Sequence, residues 1–159
     1  MDLLDSHRKF MKIAIEAGTE NVKKGGGPFG AVIVKDGKVI AVGVNRVTSS
    51  HDPTAHAEVN AIRTACSKLS DFELKGCILY TSCEPCPMCL SASYWARIDS
   101  IYYAATRQDA ANANFDDDFI YKEIPLNPQN RSIPCVHINT SINLQPFDTW
   151  REQENKTLY

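Results

Sequence analysis

The sequence predicts an α/β protein in which a mixed β-sheet is covered by helices. Segments with helical periodicity alternate with short apolar segments typical of strands, and the links between them are short. The chain has 159 residues, of which 43% are hydrophobic, enough for one compact domain with its own core. We therefore expect a single domain over residues 1–159, with no internal repeat or linker.

The N-terminal segment predicts a helix followed by a β-hairpin. One face of the helix is apolar and is formed by Phe10, Ile13, Ala14 and Ala17. The glycine run at 25–27 and Pro28 should end this helix. Apolar segments at 31–34 and 39–45 then flank Asp36-Gly37, a pair that favours the positive φ angles of a tight hairpin turn.

The remaining segments predict parallel strands joined by helices. After Asp52-Pro53 a helical pattern runs to about Leu69, and a closing amphipathic helix is expected at about 144–159. Between them we expect a strand at 77–82, a helix at 87–97 and a strand at 100–105. The first two strands should be antiparallel and the later ones parallel.

Charge and hydropathy narrow the classes of function. The net charge is −2 and no block of Lys or Arg is present, so the basic surface of a nucleic-acid-binding protein is missing. The first residues contain no apolar stretch of membrane-spanning or signal-peptide length. We expect a cytoplasmic protein that acts on a small molecule, without nucleic-acid or membrane partners.

Three of the six cysteines lie in the segment TSCEPCPMC, residues 81–89. In a reducing compartment such a cluster indicates a metal or redox site. Cys86 precedes Pro87 and should be the N-cap of a helix, with Cys89 in its first turn. A helix N-terminus favours the thiolate forms that bind metals. Cys83 ends an extended segment about 10 Å away, so we expect it not to be a ligand unless the intervening link turns sharply.

A third metal ligand is predicted from the four histidines. His56 follows Asp52-Pro53 at a helix start, and Glu58 lies two residues later. Positions i and i+2 diverge on a regular helix, so both side chains can face one site only near an irregular helix N-terminus. Three protein ligands with one open position are typical of catalytic zinc. The other histidines, His7, His51 and His137, are predicted to be structural or on the surface.

These motifs resemble those of the zinc-dependent nucleobase and nucleoside deaminases. His56-Ala57-Glu58 matches the H-x-E motif of that family, and Pro85 to Cys89 match its P-C-x-x-C motif. GGPFGAVIV, NRVTSSHDPTAHAEV, YWAR and FDDDFIYKEI are similar to the guanine deaminase branch. The resemblance implies a three-layer α/β/α cytidine deaminase-like fold, with about five strands and helices on both faces.

The resemblance also implies a reaction and its catalytic parts. Zn²⁺ held by His56, Cys86 and Cys89 would activate water, and Glu58 would move protons without being a ligand. The expected reaction is hydrolytic deamination of guanine, a purine base, to xanthine and ammonia. A second acidic residue, Asp117, would read the purine and relay a proton.

Residues for base binding are implied in the same way. Asn45 would hydrogen-bond the base and Phe29 would stack on it, while Trp95 and Tyr159 would complete the wall. In this branch the C-terminal segment can close over a neighbouring subunit's site, so a homodimer with an exchanged tail is expected.

Each assignment has alternatives. Asn45 also fits the role of a turn residue, Phe29 that of a core residue, Asp117 that of an acidic loop or helix-cap residue and Trp95 that of a packing residue. The substrate alternatives are guanosine, cytosine, an aminotriazine and transfer-RNA adenosine. Different classes are a noncatalytic zinc-stabilised interaction domain and a thiol-disulfide protein using Cys83 and Cys86. Glu58 discriminates among them, because a structural zinc site has no use for a carboxylate beside an open coordination position.

Overall fold

The structure is a computed structural model that describes residues 3–159. Within it the chain forms two compact units, one ending at Asp118 and the other covering Phe119–Tyr159. The two units are described separately below. Met1 and Asp2, the first residues of the predicted single domain, lie outside the described residues, and the single-domain assignment stays a prediction.

The first unit contains the alternating elements that the sequence predicts. In chain order they are α1 (Leu3–Lys23), β1 (Gly30–Lys35), β2 (Lys38–Val44), α2 (Val47–Ser50), α3 (Ala57–Leu69), β3 (Cys77–Cys83), α4 (Pro87–Trp95), β4 (Ser100–Ala105) and α5 (Arg107–Asn112). The short helices α2 and α5 were not predicted. Helix α4 is two residues shorter than expected because Arg97 adopts a positive φ of 56°.

The strands form one mixed sheet in the order β2-β1-β3-β4. β1 is antiparallel to both β2 and β3, whereas β3 and β4 are parallel. Asp36 and Gly37 have φ angles of 50° and 71°, the combination that closes a tight antiparallel hairpin. The predicted hairpin is confirmed.

Helices cover both faces of this sheet. Phe10 and Ala14 of α1 pack on Val32, Val34 and Tyr80, which share one face of β1 and β3. The opposite face buries alternate residues of the same strands against small side chains of α3, in a cluster that includes Ala31, Ile33, Leu79, Ala57, Ala61 and Ala65. The period-2 alternation of strand side chains produces the two cores, and the predicted three-layer α/β/α architecture is confirmed.

The expected number of about five strands is wrong, because residues 3–159 contain four. After β4 the chain leaves the sheet at a helix cap. Thr106 Oγ1 accepts a hydrogen bond from the Asp109 backbone N–H, and the Asp109 carboxylate accepts one from the Thr106 backbone N–H. This reciprocal capping box starts α5 where a further strand would have begun.

The second unit begins in α6 (Asp118–Glu123) and continues through a 3₁₀ turn (Pro128–Asn130) to α7 (Gln145–Glu152). The predicted closing helix at 144–159 is therefore shorter than expected. The Lys156 ammonium donates to the carbonyls of Arg151 and Gln153, which supplies partners for the carbonyls at the helix end. No residue of this unit is buried.

Two further expectations concern histidines and membranes. His7 Nδ1 lies 2.7 Å from the Tyr80 hydroxyl, and its ring packs on Tyr102 with a centroid distance of 4.2 Å. His7 is thus structural, while His51 and His137 are exposed. In the described part of the chain, no helix has both the length and the apolar character needed to cross a membrane.

Candidate active site

The start of α3 places His56 and Glu58 beside each other. His56 is the N-cap, with φ −69° and ψ 158°, and is therefore extended rather than helical. The turn before it is held by Asp52 Oδ1, which accepts hydrogen bonds from the backbone N–H and the hydroxyl of Thr54. The irregular helix start predicted from Asp52-Pro53 is confirmed, and it removes the divergence expected of positions i and i+2.

Close packing fixes where α3 begins relative to the sheet. A Cβ at Gly43 of β2 would lie 2.1 Å from the Ala57 carbonyl oxygen, so only glycine permits this approach. Asn60 Nδ2 donates to the carbonyl oxygens of Val44 and Ala55 at 2.9 and 3.2 Å. The first turn of α3 is therefore anchored against the end of β2.

The start of α4 places two thiols in the same way. Cys86 is the N-cap, with φ −64° and ψ 167°, Pro87 is the first helical residue, and Cys89 is in the first turn. Proline suits this position because its missing N–H needs no helical partner. The sequence prediction for Cys86, Pro87 and Cys89 is confirmed.

The two helix starts converge on one cluster of metal-binding side chains. His56 Nδ1 lies 3.5 Å from Cys86 Sγ and 3.5 Å from Cys89 Sγ, and the three ligand atoms are all within 4.8 Å of one another. Zn–N bonds of ~2.1 Å and Zn–S bonds of ~2.3 Å would place tetrahedral N and S ligands roughly 3.6 Å apart. The donor set and its spacing therefore fit Zn²⁺.

The charges in the cluster favour a thiolate. The pKa of Cys86 is lowered to about 4, first by the hydrogen bond from the Cys89 thiol and also by His56. The same contact, together with burial, raises the pKa of Cys89. The hydrogen bond with Cys86 raises the pKa of His56. A bound cation would replace these shared protons, since thiolates and neutral imidazole are the forms that bind metals.

Glu58 is a buried carboxylate next to the cluster. It is 5% exposed, and Oε1 accepts a hydrogen bond of 2.9 Å from the Thr81 hydroxyl on β3. Burial raises the pKa of Glu58, and the hydrogen bond from Thr81 opposes that shift. A carboxyl group with a raised pKa beside a metal site can both accept and return a proton near neutral pH.

Cys83, the third thiol of the motif, does not join the metal cluster. Among the described residues, the one group of potential metal ligands is His56, Cys86 and Cys89. Cys83 is buried, and its thiol lies 3.6 Å from the Thr106 carbonyl oxygen, to which it donates. Burial raises its pKa to about 11, so this thiol stays protonated. The predicted separation of Cys83 from the ligands is confirmed.

The residue after Cys83 fastens the same segment. Glu84 donates its backbone N–H to the Ala105 carbonyl at 2.8 Å, and its Oε2 accepts from the Arg107 backbone N–H at 3.0 Å. The β3–α4 link that carries the thiol ligands is thereby bound to the β4–α5 link, which leads on to Asp117.

Phe29 lies directly before β1, at the end of the α1–β1 loop, and Asn45 lies directly after β2. The Asn45 backbone N–H donates to the Phe29 carbonyl at 3.2 Å, so the two residues are adjacent. Phe29 is partly buried and packs against the core, as the alternative interpretation of Phe29 as a core residue predicts. Its ring also meets Phe115 edge-on, at a centroid distance of 5.0 Å and an interplanar angle of 85°.

Asp117 lies within electrostatic range of the metal cluster. Its pKa is raised by burial and by the negative charge of Cys86, while Arg107 opposes the shift. Asp117 in turn contributes to the raised pKa of His56. The structure therefore brings Asp117 towards the metal ligands. It also places Phe115, from the same FDDDF segment, against Phe29.

Trp95 lies at the opposite end of α4 from the thiol ligands. Trp95 ends α4, six residues after Cys89 and therefore about 9 Å along the helix axis. It is 63% exposed, with the Arg97 guanidinium 5.9 Å from its ring centroid. Tyr159 belongs to the second unit and is exposed. The substrate roles of both residues stay predictions.

Comparison with known proteins agrees with this geometry. The pattern of the cytidine and deoxycytidylate deaminase zinc-binding region matches residues 4–105. The chain belongs to the cytidine and deoxycytidylate deaminase family. Because the family pattern is a zinc-binding region, the three-ligand cluster is a zinc site. His56, Cys86 and Cys89 are the residues positioned to bind the ion.

The deaminase is similar to several relatives. It is 56% identical to guanine deaminase of Bacillus subtilis over 155 residues. The aligned region covers 97% of this chain and 99% of the relative. An X-ray structure of guanine deaminase from Bacillus subtilis superposes with a TM-score of 0.95 and covers 96% of this chain and 98% of that one. A tRNA-specific adenosine deaminase from Aquifex aeolicus is 43% identical over 96 residues, or 60% of this chain and 64% of the relative.

Sequence reasoning missed two residues of this site. Thr81 is fully buried and holds Glu58, and its signal was a polar residue within a strand predicted to be buried. Phe115 contacts Phe29, and its signal was its place in the run FDDDF beside Asp117.

Proposed function

We propose that this deaminase converts guanine and water to xanthine and ammonia. The observation that carries the substrate assignment is the 56% identity to guanine deaminase of Bacillus subtilis over 97% of the chain. Similarity to the tRNA-specific adenosine deaminase covers only 60% of the chain. A net charge of −2 also disfavours transfer RNA, because RNA binding needs a basic surface.

The reaction needs an activated water and a group that moves protons. Zn²⁺ bound by His56, Cys86 and Cys89 would lower the pKa of a water molecule towards neutrality. Glu58 would take one proton of that water as the water oxygen attacks C2 of guanine, and would deliver the proton to a ring nitrogen. Glu58 would then take the proton of the hydroxyl group newly attached to C2 and pass it to the departing amine, so that ammonia leaves and the carbonyl of xanthine forms.

The environment of Glu58 supports this role. Oε1 accepts from Thr81, which orients the carboxylate and favours Oε2 as the oxygen that carries the transferred proton. The raised pKa of Glu58 lets the carboxyl group hold that proton between the two transfers. A noncatalytic zinc domain would gain nothing from burying such a carboxylate, because burial without full compensation destabilises the fold.

The base-binding side of the site is proposed to consist of Phe29, Asn45 and Asp117. Asn45 hydrogen-bonds the base and Phe29 contributes an aromatic face. Asp117 reads the purine and relays a second proton, a role supported by its raised pKa and its electrostatic contact with the metal cluster. Trp95 and Tyr159 complete the wall.

We also propose a cytoplasmic homodimer in which residues 144–159 close over the partner's site. The second unit supports this assembly because it has no buried residue and exposes large apolar side chains, including Ile138, Leu144 and Phe147. Apolar surface of this extent favours burial against another surface. The exchanged tail would bring Tyr159 to a neighbouring active site.

A substrate panel tests the proposed function. The purified protein is incubated with guanine, guanosine, cytosine, an aminotriazine and transfer RNA, and ammonia release is measured. We expect guanine-dependent ammonia with equimolar xanthine. Turnover of cytosine or transfer RNA without turnover of guanine would reject the assignment, and no turnover of any substrate by the zinc-loaded protein would favour the noncatalytic alternative.

A further inference from the structure

We infer that Asn21 is a positioning residue for base binding: its side-chain amide joins the glycine loop (residues 25–29) to Asn45. The inference rests on the proposed function, which assigns Asn45 and Phe29 to the base. Asn21 lies in the last turns of α1 and is partly buried. It belongs to none of the motifs that identify the family.

One amide group connects two separate segments. Asn21 Nδ2 donates to the Gly27 carbonyl oxygen at 2.9 Å and to the Asn45 carbonyl oxygen at 2.8 Å. The backbone carbonyl of Asn21 also accepts from the Gly26 backbone N–H at 2.9 Å. An NH₂ group has two hydrogens, so this amide satisfies one carbonyl of the glycine loop and one of the segment after β2.

The loop also contacts the Asn45 side chain directly. A Cβ at Gly27 would lie 3.1 Å from Asn45 Cγ and Oδ1, so the glycine backbone is packed against the amide. The Asn45 backbone N–H donates to the Phe29 carbonyl. Asn21, Gly27, Phe29 and Asn45 thus form one connected network.

This network determines which group Asn45 offers to a ligand. Asn45 Oδ1 accepts from the Val47 backbone N–H at 3.2 Å, and in the described structure Nδ2 donates to no protein acceptor. Oδ1 already accepts one hydrogen bond and points towards Val47, so the group with its full hydrogen-bonding capacity left is the Nδ2 donor. Asn45 would therefore read a hydrogen-bond acceptor on the base, such as the carbonyl oxygen or an unprotonated ring nitrogen of guanine.

A double-mutant cycle tests the inference. The kcat and KM for guanine are measured for Asn21→Ala, Asn45→Ala and the double variant. We expect Asn21→Ala to lower kcat/KM about tenfold, mainly through a higher KM, since a lost buried hydrogen bond has an effect of this order. In the Asn45→Ala background, Asn21→Ala should lower kcat/KM by less than about twofold. Additive effects, or an unchanged kcat/KM in Asn21→Ala, would overturn the inference.

Three further variants separate positioning from loss of stability. Thr19→Ala removes a hydrogen bond to Ile15 O on the same helix without contacting the loop, and it should leave kcat and KM unchanged. Asn21→Asp keeps the side-chain shape but removes the donor, and it should reproduce the KM effect of Asn21→Ala. Gly27→Ala should also raise KM, by displacing Asn45 from the other side. Melting temperatures are measured for all variants, and a KM effect that follows the melting temperature rather than the loss of the donor would count against the inference.

Failure of the inference about Asn21 can be distinguished from failure of the proposed function. Wild-type turnover of guanine tests the proposed function, whereas the coupling between Asn21 and Asn45 is measured with whichever base the wild type deaminates. Coupling on a different base would keep Asn21 as a positioning residue and reject guanine as the substrate.

Discussion

Thr81 Oγ1 donates a 2.9 Å hydrogen bond to Glu58 Oε1 in the interior of the first unit. Thr81 is fully buried and Glu58 is 5% exposed, so little solvent competes for this contact. Burial raises the pKa of the carboxyl group while the hydroxyl lowers it. The proton affinity of the proposed catalytic group is therefore a balance between desolvation and one neighbouring side chain.

Replacing Thr81 with Val should move the acidic limb of the pH–activity profile to higher pH. Without the hydroxyl, the ionised form of Glu58 loses its hydrogen bond, its pKa rises further, and a smaller fraction of Glu58 can accept the water proton at a given pH. The measurement is kcat/KM as a function of pH. Thr81→Ser keeps the donor and should leave the limb close to its wild-type position, and a limb that stays in place or moves to lower pH in Thr81→Val would contradict the explanation.

Glu58→Gln should lower kcat by about 100- to 10,000-fold, because it removes the proton carrier. About one zinc per chain should remain bound, since Glu58 is not a ligand. Loss of zinc together with activity, measured by metal analysis of the purified variant, would instead indicate a structural role.

The same substitution should change the pH dependence of stability. Glu58 has a folded-state pKa above its usual value of 4.5, so the metal-free folded protein holds this proton more tightly than the unfolded chain. The contribution of Glu58 is fully present below pH 4.5 and is lost as pH rises through the raised pKa. The Glu58→Gln variant should not show this loss of stability with rising pH. Thermal denaturation of the metal-free wild type and variant, between acidic and neutral pH, measures the difference.

Cys83→Ala should retain zinc, whereas Cys86→Ala and Cys89→Ala should lose it. The Cys83 thiol donates to the Thr106 carbonyl and has a pKa raised to about 11, so it is not available as a thiolate. Zinc titration of the three variants under identical conditions provides the comparison. Lower zinc stoichiometry in Cys83→Ala with an intact fold would show that the third thiol takes part in binding the metal.

Subunit mixing should show whose active site the tail closes. A variant lacking residues 144–159 and the Glu58→Gln variant should each be inactive, the first without a closing segment and the second without a proton carrier. If the tail closes the partner's site, mixed dimers should recover part of the wild-type activity, because the Glu58→Gln subunit supplies its tail to the intact Glu58. Activity that stays at the sum of the two separate variants would mean that the tail does not act across subunits.

Local signals in the sequence predicted most of the first unit and the metal ligands. Asp36-Gly37 indicated a hairpin because the turn depends on the conformations of those two residues alone. Cys86-Pro87 indicated a helix start because proline restricts its own φ angle and the conformation of the residue before it. Where a site is built on two such helix starts, the spacing of His, Glu and Cys in the chain carries most of the information.

Properties that depend on long-range contacts had to come from the tertiary structure. The strand count was decided by the cap at Thr106, which turns the chain out of the sheet. The bond from Thr81 to Glu58 joins residues 23 positions apart, and the bridge from Asn21 to Asn45 joins residues 24 apart. No local pattern encodes such pairs, because they exist only after α1 and α3 have packed on opposite faces of the sheet. The sequence alone thus determined the elements and the ligand set, whereas the packing of helices on the sheet decided the pKa of the carboxylate and the placement of the base-binding loop.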